Sequence, residues 1–275
     1  MPKGNMRIRE RDVAVVTGAG GGIGRATAET LAARGCWLVI VDQDPEGLDE
    51  TAERITSGGG RVSRHRVDVS DRGQVSALAK KIEAEFEKVR VLVNNAGLSL
   101  AGPVESLDLD DLEWDTRVNF LGMVYGCHFF MPLLRRSSEA WIVNVLSELA
   151  LFGCPGKAGY SASKFAARGF SESLSAELAG SSVGVTCVYP GATATDLVRS
   201  GRAVDAMKQR REVEFLERWG RPPDQVARRL VRGIERGRRR VLVGADVRAV
   251  ELAARLAPGW TARLADRVGR RFGFG

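Results

Sequence analysis

Histidine, cysteine and long apolar runs are scarce in this chain. Its 275 residues include two histidines and four cysteines, and no two cysteines form a CxxC pair. Scattered cysteines favour buried free thiols over disulfides or metal ligands, and with only His65 and His128 we expect no metal site. No apolar stretch approaches the roughly 20 residues that a membrane-spanning helix needs. The first residues lack the apolar block and cleavage site of a secretory signal, so we expect a cytoplasmic protein.

The composition is that of a globular protein, but the charge is unevenly distributed. Apolar residues make up 44% and charged residues 27%, which allows a sizeable core. The formal net charge is +7, of which residues from 197 onward carry +11 and the earlier residues −4. This asymmetry fits an anionic partner, such as a phosphate-bearing substrate, an acidic carrier protein, a membrane surface or nucleic acid. We favour a solvated arginine-rich face and expect no nucleic-acid partner.

Apolar runs bounded by turn residues alternate with amphipathic stretches of helical length, which indicates repeated βαβ units. The predicted strands are residues 13–17, 37–41, 62–68, 91–94, 141–146, 183–189 and 240–243. The predicted helices are residues 24–34, 45–57, 71–87, 112–135, 160–178 and 223–236. We therefore predict a single-domain, Rossmann-like α/β fold, with a doubly wound, seven-stranded parallel sheet and helices on both faces.

Three segments lie outside this alternation. Residues 1–12 form an N-terminal extension to the α/β domain at 13–245. Within that domain, residues 193–222 mix apolar and charged side chains and are interpreted as an amphipathic flap, because such long excursions are usually functional. Residues 246–275 form a basic amphipathic tail that Pro258 divides into two short helices. Packing on its own domain is the favoured role of this tail; peripheral membrane contact or covering a neighbouring subunit are alternatives.

A glycine-rich turn lies between the first predicted strand and the first helix, in the order Thr-Gly-x-x-x-Gly-x-Gly at residues 17–24. Glycines let a backbone turn tightly and approach a pyrophosphate, while the helix N-terminus offers unpaired N–H groups. This position predicts a dinucleotide site formed by Gly18, Gly22, Ile23 and Gly24.

Asp42 ends the second predicted strand, 18 residues beyond Gly24. A carboxylate there can accept hydrogen bonds from both hydroxyls of the adenosine ribose, and it would repel a 2′-phosphate. We therefore expect NAD rather than NADP, since Gln43 supplies no compensating cation, although Arg25 in the phosphate turn favours the alternative.

Five motifs together resemble the short-chain dehydrogenase/reductase superfamily. They are the turn at 17–24, Asn-Asn-Ala-Gly at 94–97, Ser147, Tyr-x-x-x-Lys at 160–164, and Pro-Gly at 190–191. The motifs stand in the family's order and intervals, over residues 13 to 245. The resemblance implies that this region is a dinucleotide-binding catalytic domain of an NAD(P)-dependent oxidoreductase acting on CH–OH groups.

The proposed catalytic residues are Asn119, Ser147, Tyr160 and Lys164. Tyr160 and Lys164 are one turn apart on a predicted helix, so their side chains project from one face. A phenol has a pKa of about 10, so acting as a base at neutral pH requires a nearby positive charge, which Lys164 supplies. By resemblance, Ser147 binds the substrate oxygen, Lys164 also holds the nicotinamide ribose, and Asn119 supports a water chain that relays the proton.

The resemblance also implies further cofactor contacts. These place Asp68 and Val69 beside the adenine, Asn95 under the adenosine ribose, and Pro190, Thr193 and Thr195 around the nicotinamide carboxamide. The 94–97 turn has a structural role in the family as well, because its side chains tie the fourth strand to its neighbours.

One local departure follows Ser147, where the family commonly has small or apolar residues and this chain has Glu148. We expect that side chain to face solvent. The loop 149–159 and the flap contain Leu151, Phe152, Cys154, Phe215, Leu216 and Trp219. These side chains either wall a pocket for a bulky hydrophobic alcohol or ketone, or pack into the core or a subunit interface.

The favoured function is NAD-dependent interconversion of a secondary alcohol and a ketone on a steroid, terpenoid or lipid-like molecule, by a homodimer or homotetramer. An NADPH-dependent 3-oxoacyl thioester reductase is the alternative enzyme. A nucleotide-sensing or nucleic-acid-binding protein on the same fold is the non-enzyme alternative, and the intact Ser147, Tyr160 and Lys164 argue against it.

Overall fold

The computed structural model describes residue 6 and residues 8–271, without the side chains of residues 262, 264 and 268–271. Parts of the predicted N-terminal extension (1–5 and 7) and of the basic tail (272–275) therefore lie outside the described residues.

A parallel sheet of seven strands forms the centre of the domain, in the order β3-β2-β1-β4-β6-β7-β9. Its strands are β1 (Val13–Thr17), β2 (Trp37–Asp42), β3 (Arg61–Arg66), β4 (Val91–Asn94), β6 (Ala140–Val145), β7 (Val183–Pro190) and β9 (Arg240–Val243). Every pairing within it is parallel. The predicted Rossmann-like fold is confirmed, and the strand order reverses between β1 and β4, where such sheets bind ligands.

Helices cover both faces of the sheet. They are α1 (Gly22–Ala32), α2 (Pro45–Ser57), α3 (Arg72–Glu85), α4 (Leu109–Thr116), α5 (Gly122–Arg135), α6 (Ala158–Glu177), α7 (Ala206–Trp219), α8 (Pro223–Glu235), α9 (Ala245–Leu256) and α10 (Pro258–Arg271). Alternation along β1 divides the core: Ala14 and Val16 pack with α1, α2 and α8, whereas Val13 and Val15 face the core shared by α3, α5 and α6. Each face therefore buries its own apolar layer.

The flap contains structure that the sequence did not predict. It holds α7 and a short strand, β8 (Arg202–Ala203), which pairs in parallel with β5 (Leu100–Ala101). This two-stranded sheet joins the flap to the segment after β4, at the edge of the domain where the main strands end.

The tail forms two helices that meet at Pro258, as predicted. Val247 of α9 is fully buried in the core, whereas Leu252, Leu256 and Trp260 are largely exposed. None of the helices in the described part of the chain is both long and apolar enough to cross a membrane.

The four thiols are free, and Cys36, Cys127 and Cys187 are buried. Burial raises the pKa of the Cys36 and Cys127 thiols to about 12, so these side chains are neutral and unreactive at physiological pH.

Candidate active site

A cavity of about 790 Å³ opens at the carboxyl ends of the strands, next to the reversal of strand order. This volume is within the range of roughly 300–1,000 Å³ that small-molecule sites occupy. The glycine turn, the ends of β2, β4, β6 and β7, and the flap all contribute to its wall. Parallel strands bring segments that are far apart in the sequence to this one edge of the sheet.

The glycine turn is shaped for a close-approaching ligand. Gly18 and Gly22 have φ angles of +65° and +51°, which side chains other than glycine rarely adopt. A Cβ atom on Gly24 would lie 1.9 Å from the Gly18 carbonyl oxygen, so this packing of turn against helix requires glycine. Gly18, Gly22 and Ile23 line the cavity, whereas Gly24 lies behind them.

The N-terminus of α1 also differs from those of four other helices. Aspartate side chains cap α2, α3, α4 and α7, but no side-chain hydrogen bond caps α1. Among the described residues, no side chain caps the first N–H groups of α1. An uncapped helix start beside a glycine cradle fits the pyrophosphate of a dinucleotide.

Asp42 is held at the end of β2. Its Oδ2 accepts a hydrogen bond from the Gly20 N–H at 2.8 Å, and its Oδ1 accepts one from the Asp44 N–H at 3.1 Å. The Arg25 guanidinium is engaged elsewhere, because it donates to the Gly20 carbonyl and the Thr51 hydroxyl and pairs with Glu50 at 2.7 Å. A carboxylate, rather than an available cation, thus marks this end of the cavity.

The other predicted cofactor residues divide into two groups. Val69, Asn95, Pro190, Thr193 and Thr195 line the cavity. Asp68 does not, since its carboxylate accepts hydrogen bonds from the Ser70 backbone and hydroxyl at 2.8 and 2.7 Å.

Asn95 also has a structural role. Its Nδ2 donates to the carbonyls of Thr17 and Gly18, both at 3.1 Å, and its N–H donates to the Thr17 hydroxyl at 3.0 Å. The side chain therefore fastens the end of β4 to the glycine turn.

Ser147, Tyr160 and Lys164 meet on one wall of this cavity. Ser147 follows β6, and its Oγ accepts a hydrogen bond from the Leu149 N–H at 3.2 Å, which leaves the hydroxyl proton available to donate. Tyr160 and Lys164, on α6, are only 7% and 4% exposed. The Lys164 Nζ lies 5.6 Å from the centre of the Tyr160 ring and donates to the Val145 carbonyl at 3.4 Å.

Burial shapes the acid–base properties of this pair. It raises the pKa of Tyr160 above the ordinary value for a phenol, although a hydrogen bond with the Ser147 side chain acts in the opposite direction. Burial also lowers the pKa of Lys164 to about 8, against the nearby charge of Asp115. Both shifts favour neutral side chains, so any tyrosinate here depends on positive charge close by.

Asn119 lies in a π-helical turn within the helix predicted for residues 112–135. The helix continues from α4 through this turn, at Arg117–Leu121, into α5. The Asn119 Oδ1 accepts a hydrogen bond from the Leu98 N–H, and its Nδ2 donates to the Leu98 carbonyl, each at 3.0 Å. The turn thus aims this amide at the segment after β4, beside Lys164.

Sequence reasoning missed two buried polar groups next to these residues. Asp115 on α4 is fully buried and accepts a hydrogen bond from Asn119. Lys157, three residues before Tyr160, is 5% exposed, and its Nζ donates to the Ser99 hydroxyl at 3.1 Å and to Glu212 of the flap at 2.8 Å. For Asp115 the sequence signal was a charged residue at a position that the predicted helix buries, whereas Lys157 precedes the predicted helix and carried no such signal.

The expectation that Glu148 faces solvent is wrong. Glu148 is half-buried on the cavity wall, and burial, together with the charge of Asp246, raises its pKa to about 7, while Arg221 acts in the opposite direction. The short 3₁₀ turn that starts after Ser147 places this carboxyl beneath the flap.

The pocket wall also differs from the set of side chains proposed for it. Leu151 is buried in the core and Phe152 packs against it, while Trp219 is 66% exposed. Of the flap residues, Leu197, Val198 and Leu216 line the cavity instead. Of the two alternatives, the pocket wall therefore holds for Leu216 and core packing for Leu151 and Phe152, while Phe215 and Trp219 do not line the cavity.

Comparison with known proteins gives a consistent result. Residues 12–205 match the family described as short chain dehydrogenase. A Mycobacterium tuberculosis protein named SadH, an oxidoreductase by its name, is 38% identical over 251 residues, which cover 90% of this chain and 91% of that protein. Human estradiol 17-beta-dehydrogenase 11 is 30% identical over 250 residues, which cover 90% of this chain and 79% of that protein.

Solved structures agree with these relatives. A short-chain dehydrogenase/reductase from Burkholderia phymatum, in complex with NAD, superposes with a TM-score of 0.83 at 31% identity and covers 91% of this chain and 96% of its own. The chain therefore belongs to the short-chain dehydrogenase/reductase superfamily and is an NAD(P)-dependent oxidoreductase.

Proposed function

We propose that this protein uses NAD to interconvert a secondary alcohol and a ketone on a bulky hydrophobic substrate, with Tyr160 as general acid and base. The observation that carries this proposal is the meeting of Ser147, Tyr160 and Lys164 in the same cavity as the glycine turn and Asp42. A bound nicotinamide would supply or accept the hydride there.

The proposed chemistry uses the protons of these side chains. In oxidation, the Tyr160 phenolate removes the alcohol proton, and in reduction the phenol returns it to the carbonyl oxygen. The Lys164 ammonium, whose Nζ lies 5.6 Å from the centre of the Tyr160 ring, stabilises the phenolate by its positive charge. Ser147 donates its hydroxyl proton to the substrate oxygen, since its own Oγ already accepts from the Leu149 N–H. Asn119, whose side chain is hydrogen-bonded to the Leu98 backbone, would support the water chain that relays the proton.

Two features support NAD over NADP. The Asp42 carboxylate at the end of β2 would accept hydrogen bonds from the ribose hydroxyls and would repel a 2′-phosphate. Arg25, a cation on the cavity wall, is engaged with Glu50, Thr51 and the Gly20 carbonyl, so it would have to give up these partners to bind a phosphate.

The substrate proposal rests on the apolar side chains of this cavity. Leu149, Leu197, Val198 and Leu216 line it together with Ser147. Steroid, terpenoid and lipid-like alcohols or ketones match such a wall, and human estradiol 17-beta-dehydrogenase 11 is a relative whose name indicates a steroid substrate.

The alternative, reduction of an acyl thioester on an acidic carrier, would use the arginines of the flap. Two of the six are already engaged: Arg199 is paired with Asp196 and Glu217, and Arg202 with Asp111 and the Trp114 ring. These two would have to give up their partners to bind an acidic carrier.

We also propose a homodimer or homotetramer that packs α5 and α6 against a second copy. Phe165 on α6 is 41% exposed, and Phe120 and Phe129 are only half-buried. Light scattering on the purified protein, compared with a Phe165→Glu variant, would measure the mass; a wild-type monomer would refute this part.

One experiment tests the enzymatic proposal. Steroid, terpenoid and acyl-thioester alcohols and ketones are assayed by NADH or NADPH absorbance, with the wild type, Tyr160→Phe and Tyr125→Phe. We expect Tyr160→Phe to lower turnover at least about a hundredfold while leaving NADH binding intact, because it removes only the general acid–base group. Tyr125 does not line the cavity and serves as the matched control. Near-normal turnover by Tyr160→Phe would refute the assigned role.

A further inference from the structure

Asp115 is a carboxyl group that the proposed chemistry does not use. It lies on α4, is fully buried, and its Oδ1 accepts a hydrogen bond from the Asn119 Nδ2 at 2.9 Å. Its Oδ2 is also buried. Burying a carboxyl group in this way is unfavourable unless nearby groups compensate for it.

The compensating groups lie on or next to α6 and on the π-helical turn. Burial raises the pKa of Asp115, whereas a hydrogen bond with the Ser163 side chain, the charges of Lys164 and Lys157 and the Asn119 hydrogen bond lower it. The charge of Asp115 in turn raises the pKa of Lys164 against the effect of burial, and together with the charges of Glu148 and Glu212 it raises the pKa of Tyr160. Asp115 is therefore coupled to both members of the Tyr160 and Lys164 pair.

The geometry shows how this coupling is arranged. A Cβ atom built on Gly97 would lie 2.8 Å from the Asn119 Oδ1 and 3.3 Å from the Lys164 Nζ, so both groups converge on the Gly97 backbone. The Asn119 amide thus has Asp115 on its nitrogen side and Lys164 near its oxygen side. The π-helical turn that begins at Arg117 places this amide between the two charges.

We propose that Asp115 is a positioning residue, which keeps the buried Lys164 in its ammonium form and orients the Asn119 amide toward the segment after β4. This inference rests on the roles proposed for Tyr160 and Lys164. Lys164 is only 4% exposed, and it stabilises a phenolate only while it is charged. The negative charge of Asp115 favours the ammonium form of the buried Lys164. The same charge disfavours the phenolate form of Tyr160.

Asp115→Asn separates these two roles. The variant retains an oxygen that can accept the Asn119 hydrogen bond, but it removes the charge. Since that charge raises the pKa of both Lys164 and Tyr160, both limbs of the pH profile of kcat/KM for alcohol oxidation should move to lower pH, by about one unit. Asp110→Asn is the control, because Asp110 lies on the same helix but is exposed, and its profile should match the wild type.

A second measurement follows Lys164 without turnover. The chain has seven lysines, so the ¹³Cε resonance of Lys164 can be assigned in lysine-labelled protein by comparison with Lys164→Arg. Its titration midpoint should fall in Asp115→Asn and stay in place in Asp110→Asn. If Asp115→Asn does not fold, the wild-type midpoint still tests the proposal: a midpoint well below pH 8 would overturn it, since the neighbouring charge would then not hold the ammonium form.

The outcomes separate this inference from the proposed function. Superimposable profiles and titrations in the wild type and Asp115→Asn would overturn the inference alone. Loss of activity in Asp115→Asn with unmoved limbs would indicate a structural role only, and would overturn it too. Near-normal turnover by Tyr160→Phe would instead refute the function on which it rests.

Discussion

Alanine at Gly24 should weaken cofactor binding through a steric conflict that can be read from the structure. The new Cβ atom would lie 1.9 Å from the Gly18 carbonyl oxygen and 2.6 Å from the Asn95 Nδ2, whereas real Cβ contacts are almost never shorter than 3.0 Å. The glycine turn would have to move away from α1 by about 1 Å. Overpacking of this kind costs about 1–3 kcal/mol. Because the displaced atoms form the proposed pyrophosphate cradle, NADH affinity should fall about 10- to 100-fold.

Gly169→Ala is the control, at an exposed position on α6 outside the cavity. Nothing lies within 4 Å of a Cβ atom at Gly169. Its NADH affinity should stay within about twofold of the wild type, as expected of a substitution without steric consequence. Fluorescence titration with NADH measures both dissociation constants, and thermal unfolding shows whether each variant is folded. Equal affinities for the two variants would refute the assignment of this turn to the cofactor.

Two further substitutions test cofactor choice and the substrate wall. Asp42→Ala should lower the preference for NADH over NADPH by about tenfold or more, since it removes charge-assisted hydrogen bonds to the ribose and the repulsion of a 2′-phosphate. The ratio of kcat/KM with the two cofactors measures this preference. An unchanged ratio would mean that other residues recognise the ribose. Burial on the cavity wall raises the pKa of Glu148 to about 7, so this side chain becomes charged above that pH. A charged wall should weaken binding of an uncharged ketone. The KM for the ketone should therefore rise by up to about tenfold per pH unit. Glu148→Gln should abolish this rise, and a KM that still climbs with pH in the variant would exclude Glu148 as its source.

Local sequence was sufficient for most of the framework and for the residues of the proposed site. Strands β1, β4 and β9 and helix α2 have the predicted bounds, because an apolar run or an amphipathic stretch ends in each case at a turn or capping residue. The alternation of these elements determined the parallel sheet, since each crossover is long enough to return in the same direction. Tyr160 and Lys164 share a helix face by spacing alone, and the carboxyl ends of parallel strands then brought Ser147 and the glycine turn to the same edge.

Tertiary structure alone decided the properties that depend on distant segments. Leu100 pairs with Arg202, and Lys157 reaches Glu212 on the flap, although neither contact leaves a mark in its local sequence. Glu148 was expected in solvent, yet it is half-buried and its pKa is shifted by burial under segments far along the chain. The spacing of residues sets which face of a helix or strand a side chain occupies. The segments that pack on that face determine how much water and which charges lie next to each side chain. Those surroundings set the acidity of Glu148, Asp115 and Lys164.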